Sequence, residues 1–64
     1  MKYSELEKLI TQTTSCSFFR NGSRHPIWRN PGTGDFFEMS YHKSQEVKIG
    51  TLKNIIKKSG VKLK

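Results

Sequence analysis

The sequence predicts a small α+β fold in the order α-β-β-β-α, a three-stranded antiparallel sheet packed by two helices. Three observations carry that expectation. Leu6, Leu9 and Ile10 near the start, and Ile49, Leu52, Ile55 and Ile56 near the end, recur at helical spacing. Between them lie three short aromatic or β-branched runs, separated by Asn21-Gly22 and by the turn cluster Asn30-Pro31-Gly32-Thr33-Gly34-Asp35. Finally, 64 residues make one domain, 1–64, and a chain of this size buries only about 60% of the surface it exposes when unfolded. Its function is therefore expected on an exposed face, since a deep enclosing cavity has no room to form.

The first helix is expected from Ser4, where Ser4-Glu5-Leu6-Glu7 has the form of a capping box, to about Thr13. The β-branched, hydroxyl-rich run Thr11 to Ser15 ends it. Cys16 to Arg20 reads as the first strand. Asn21-Gly22 then reads as a two-residue hairpin turn, since both residue types tolerate positive φ. That register sets Phe18 opposite His25 and on one face with Cys16 and Ile27, with Phe19, Arg24 and Trp28 on the other. Pro26 lacks an amide donor, which confines the start of the second strand to a sheet edge or to an outward-facing amide position. His25 is thus expected near a rim. Phe36 to Tyr41 forms the third strand, His42 to Lys48 an irregular segment, and Ile49 to Ser59 the second helix, stopped by Gly60.

Charge divides the chain unevenly. Residues 1 to 46 hold six Lys/Arg against five Asp/Glu, whereas residues 47 to 64 hold Lys48, Lys53, Lys57, Lys58, Lys62 and Lys64 and no acid, out of a net charge of +7. A lysine cluster of this density attracts nucleic-acid phosphate, with an affinity that falls steeply with salt. It is equally the solvated face of a helix that ends in cations, as the helix dipole favours. No apolar stretch approaches the roughly 18 residues of a membrane span, and Met1-Lys2-Tyr3-Ser4-Glu5 has no signal-peptide character. The lone Cys16 fits a reducing compartment and a half-buried strand position better than a nucleophile. A cytoplasmic location is the expectation. Two histidines seventeen residues apart, one cysteine and scattered carboxylates offer no metal-ligand spacing, and no glycine-rich loop precedes a helix, so neither a metal nor another cofactor is expected.

What remains is His25, directly after Gly22-Ser23-Arg24. RNA cleavage without a metal requires a base for the 2′-hydroxyl proton, an acid for the 5′-oxygen and cations to hold the phosphorane-like transition state. An imidazole suits either proton role. Arg24, Lys53 and Lys57 are candidate cations, and Arg20 and Arg29 are either phosphate contacts or solvated strand ends. Ser23 reads as a turn residue or as a donor to a phosphate oxygen. One histidine cannot be base and acid in the same step without a relay, so His42 is the candidate partner; the other reading gives it a loop-packing or partner-contact role. Trp28, Phe36, Phe37 and Tyr41 are either base-stacking groups or core.

The element order resembles a double-stranded-RNA-binding-domain scaffold. The residues themselves, Asn21 through Pro31, Thr33-Gly34, Tyr41-His42, Ser44, Glu46-Val47 and Gly50-Thr51-Leu52-Lys53-Asn54-Ile55-Ile56-Lys57, resemble the HicA family of toxin endoribonucleases over nearly the whole chain. The resemblance rests on three features in order: His25 three residues after Gly22, a histidine after the third strand, and Gly50-Thr51-Leu52 opening the last helix. It implies a metal-independent mRNA interferase of a prokaryotic toxin–antitoxin module, with His25 catalytic, mRNA as substrate, no cofactor, and a HicB-type antitoxin protein that neutralises it. The alternative from a different class is a non-catalytic basic RNA- or DNA-binding module built on the same helix and sheet.

Overall fold

The computed structural model describes residues 1–63. Its order is α1 (Tyr3–Thr13), β1 (Ser17–Asn21), β2 (Pro26–Arg29), β3 (Phe36–Glu38) and α2 (Ile49–Ser59). The three strands form an antiparallel meander in the order β1-β2-β3. The expected fold class and element order are those observed.

α1 begins earlier than its sequence signal suggests. Lys2 is the extended residue before the helix, and its amide donates to Glu5 Oε1 at 2.9 Å. The next two amides, of Tyr3 and Ser4, donate to the carbonyls of Gln45 (3.1 Å) and Lys43 (3.0 Å). Distant chain thus satisfies the Ser4 amide, which the expected Ser4–Glu7 capping box assigned to the Glu7 side chain. Glu7 instead pairs with Lys43 at 2.7 Å. Glu46 pairs with the α-amino group of Met1, and this bond holds its carboxyl below the usual range. At the other end, the hydroxyls of Thr11, Thr13 and Thr14 donate to carbonyls four residues back, and α1 stops there as the threonine run predicts.

The hairpin departs from the expected register. Asn21 pairs with Pro26, Arg20 with Ile27, Phe18 with Trp28 and Ser17 with Arg29, with a bulge between Phe18 and Arg20. The loop is therefore Gly22-Ser23-Arg24-His25, four residues closed by Gly22 N–H donating to the His25 carbonyl at 3.0 Å. A Cβ on Gly22 would stand 2.5 Å from that carbonyl oxygen, so glycine is needed here for close approach and not for a positive φ. Phe18 faces Trp28 rather than His25, and the bulge places Phe19 with Ile27 instead of with Trp28. Pro26 is the first residue of the central strand, a position where its missing amide breaks no ladder. β3 is shorter than the expected Phe36 to Tyr41. After Glu38, Met39 still donates to the Pro26 carbonyl at 3.0 Å, but Ser40 Oγ accepts from His42 N–H at 3.0 Å and turns the chain.

Both helices pack on one side of the sheet. Leu6 and Ile10 of α1 and Ile55 of α2 are fully buried against Cys16, Trp28, Phe37, Met39, Val47 and Val61. Trp28 and Phe37, paired across β2 and β3, stack tilted with centroids 6.4 Å apart. The turn after β2 is tied to the end of α2, because Asn30 Nδ2 donates to the carbonyls of Lys58 (2.9 Å) and Ser59 (3.3 Å). Cys16 lies just before β1 and is buried, its thiol donating to the Ser59 carbonyl. Gly60 closes α2 as expected, with φ +74 and its amide bonded to the Ile56 carbonyl.

Candidate active site

Alternation along the strands leaves a second sheet face directed away from the helices. Ile27 opposes Glu38 and Arg29 opposes Phe36 in alternate pairs, on either side of the inward-facing Trp28–Phe37 pair, so these four side chains share it. The hairpin loop overhangs one end of this face and carries His25. Its Nδ1 lies 3.4 Å from Glu38 Oε1, and both side chains are exposed, at 47% and 64%. The contact is an ion pair whenever the imidazole is protonated.

A hollow of about 570 Å³ surrounds this pair, lined by Arg20, Gly22, Ser23, Arg24, His25, Ile27 and Glu38. Two arginines thus line the same depression as His25, with Glu38 as the acid there, and the Arg20 guanidinium donates to the Asn21 carbonyl at 3.3 Å. The loop is held from outside it. Tyr41 Oη donates to the Gly22 carbonyl at 2.9 Å and lies 3.2 Å from Asn21 Oδ1. Tyr41 is half exposed, so it serves as a strut to the hairpin rather than as core.

The structure brings together some of the residues nominated from sequence and separates others. His25, Ser23, Arg24 and Arg20 meet in the hollow. His42 does not line it; it sits in the turn at 40–45, where its carbonyl accepts from Gln45 N–H. Arg29 is on the same sheet face as Glu38, with its guanidinium 5.8 Å over the Phe36 ring. Lys53 and Lys57 are exposed on the solvent side of α2, whereas Lys58, one residue on, turns toward the sheet with Thr51 and Asn54. Trp28 and Phe37 are core, while Phe36 and Tyr41 are exposed. Glu38 and Lys58 were not singled out by sequence reasoning. The signal for Glu38 was the β2–β3 register, which places it opposite Ile27, two residues from His25.

Among the described residues, no three His, Cys, Asp or Glu side chains are grouped so as to hold a metal ion. Among the same described residues, no helix is long and apolar enough to cross a membrane. Comparison with curated proteins and with solved structures finds no match. A family model does match, that of the HicA toxin of bacterial toxin–antitoxin systems, over residues 3–61. This span takes in both helices, all three strands and the hollow around His25, and the chain belongs to the HicA toxin family.

Proposed function

We propose that this toxin is a metal-independent endoribonuclease, an mRNA interferase, with His25 as the proton-transferring group. The observation that supports it best is the exposed His25–Glu38 pair in a depression walled by Arg20 and Arg24. Glu38, 3.4 Å from Nδ1, is placed to orient the ring when substrate closes this gap to a hydrogen bond, leaving the lone pair on Nε2, the form that accepts a proton. Nε2 takes the 2′-hydroxyl proton as that oxygen attacks the adjacent phosphorus. Arg20 and Arg24 balance the charge that accumulates on the phosphoryl oxygens. Ser23 adds a hydroxyl donor on the same loop. The 5′-oxygen leaves with a proton, and in a stepwise passage through a phosphorane-like intermediate the His25 imidazolium returns the one it took. The products are a 2′,3′-cyclic phosphate and a 5′-hydroxyl. His42, outside the hollow, fits a loop or partner-contact role.

The same geometry explains how a cytoplasmic HicB-type antitoxin would silence the toxin. His25 is on an open rim, so a protein seated over the hairpin loop blocks it sterically. Lys53, Lys57 and Arg29 would hold RNA backbone away from the reacting phosphate. Purified wild-type protein and His25→Ala, incubated with a long unstructured RNA in chelator, test the assignment. Wild type should cleave. The variant should lose about 100-fold or more in rate while still binding RNA in a salt-sensitive way. Equal cleavage by both would remove His25 from the chemistry, and binding without cleavage by either would make the chain a nucleic-acid-binding module.

A further inference from the structure

We infer that Phe19 and Phe36, on the sheet face opposite the core, form a stacking site for unpaired RNA bases on the same face as the His25 hollow. The inference rests on RNA being the substrate, as proposed above. The two rings meet edge to face with centroids 5.0 Å apart, yet they remain 52% and 44% exposed. They are half exposed and lie outside the core cluster, so the core does not account for aromatic residues here. Beside them lies a groove of about 740 Å³ walled on one side by Gly50, Thr51, Asn54 and Lys58 of α2; its cationic lining residues are Arg20 and Lys58, with Arg29 over the Phe36 ring and Glu38 as its acid. Glu38 faces His25, so its charge is partly matched.

Exposed aromatic rings among cations are the composition of a single-strand binding surface, where bases stack on rings and the cations follow the phosphates. An apolar protein segment would gain nothing from these cations, and a duplex keeps its base faces hidden in its own stack. The groove is also continuous with the catalytic hollow, because Arg20, Ile27 and Glu38 line both. A base held on Phe19 and Phe36 therefore sets the phosphate a short distance along the strand beside His25. This makes the pair a determinant of which strand form is cut.

The test measures binding of a labelled unstructured single-stranded RNA, and of a duplex of equal length, to the His25→Ala protein alone and with Phe19→Ala or Phe36→Ala added. Each added change should weaken single-strand binding on the order of tenfold. Duplex affinity and the slope of affinity against salt should stay unchanged, and Phe36→Trp should restore single-strand binding. Circular dichroism and thermal melting confirm that the variants fold. If the phenylalanine variants bind single strands as tightly as their parent, the stacking site is refuted, while cleavage by the His25-intact protein would still uphold the nuclease. Loss of stacking-dependent binding in a chain that never cleaves would refute the nuclease alone. A wild-type chain that binds no RNA would overturn both.

Discussion

In β2 and β3 the two faces of the sheet are drawn from alternate residues and have opposite fates, whereas β1 is exposed along its whole length. On the inner face Pro26, Trp28 and Phe37 are buried, joined by Met39 just beyond β3, and closed over by Leu6, Ile10 and Ile55. On the outer face Phe19, Phe36 and Glu38 are exposed, Ile27 and Arg29 are half buried, and His25 overhangs them. Phe36 and Phe37 are consecutive, differ by one step of the pleat, and stand 44% and 3% exposed. The difference teaches that a chain of 64 residues can place its stability on one side of a sheet and leave the other side free for chemistry. Few large side chains are available to such a chain, so aromatic residues outside the core point to function.

The sharpest way to break this comparison is to truncate the two neighbouring phenylalanines in turn. Phe37→Ala should destabilise by about 3–5 kcal/mol, which is enough to unfold much of a domain of marginal stability. Phe36→Ala should shift stability by less than about 1 kcal/mol. Urea denaturation compares them directly, and equal losses would mean that the outer face carries the fold as well. Next in size is Glu38→Gln, which keeps the shape of the side chain but removes the charge from His25 Nδ1. RNA cleavage should fall about tenfold through kcat, with KM and melting temperature nearly unchanged. A KM effect instead would make Glu38 a binding group. The smallest expected effect belongs to Tyr41→Phe. It deletes the bond to the Gly22 carbonyl and should cost about 1 kcal/mol of stability, with a few-fold fall in kcat as the His25 loop loosens. An unchanged kcat would show that the loop holds itself.

Much of this fold was legible in the sequence because its signals were local. The period of Ile49, Leu52, Ile55 and Ile56, followed by Gly60, marked α2 from Ile49 to Ser59, the limits the structure shows. His25 was legible as an exposed histidine for the same reason, standing among turn residues beside a proline. What sequence reasoning missed depended on partners distant along the chain. The start of α1 is capped by the carbonyls of Lys43 and Gln45, which no local box announces. The Asn21-Gly22 turn gave way to the four-residue loop Gly22 to His25, closed by Gly22 N–H on the His25 carbonyl, and the β1 bulge then shifts the pairing beyond Arg20 by one residue so that Phe18 meets Trp28. Glu38 joined His25 only through cross-strand register. Lys58 displaced Lys53 and Lys57 from the groove because the rotation of α2 is set by burial of Ile55 and Ser59, and charge counting is blind to rotation.

The central claim is that His25 performs proton transfer in an attack by the RNA's own 2′-hydroxyl. The most direct measurement is the chemistry of the fragment ends produced by wild-type protein in the presence of chelator. Fragments carrying 2′,3′-cyclic phosphate and 5′-hydroxyl ends, absent from the His25→Ala digest, are the predicted result. Fragments carrying 3′-hydroxyl and 5′-phosphate ends, or cyclic phosphate formed equally by the His25→Ala protein, would contradict it.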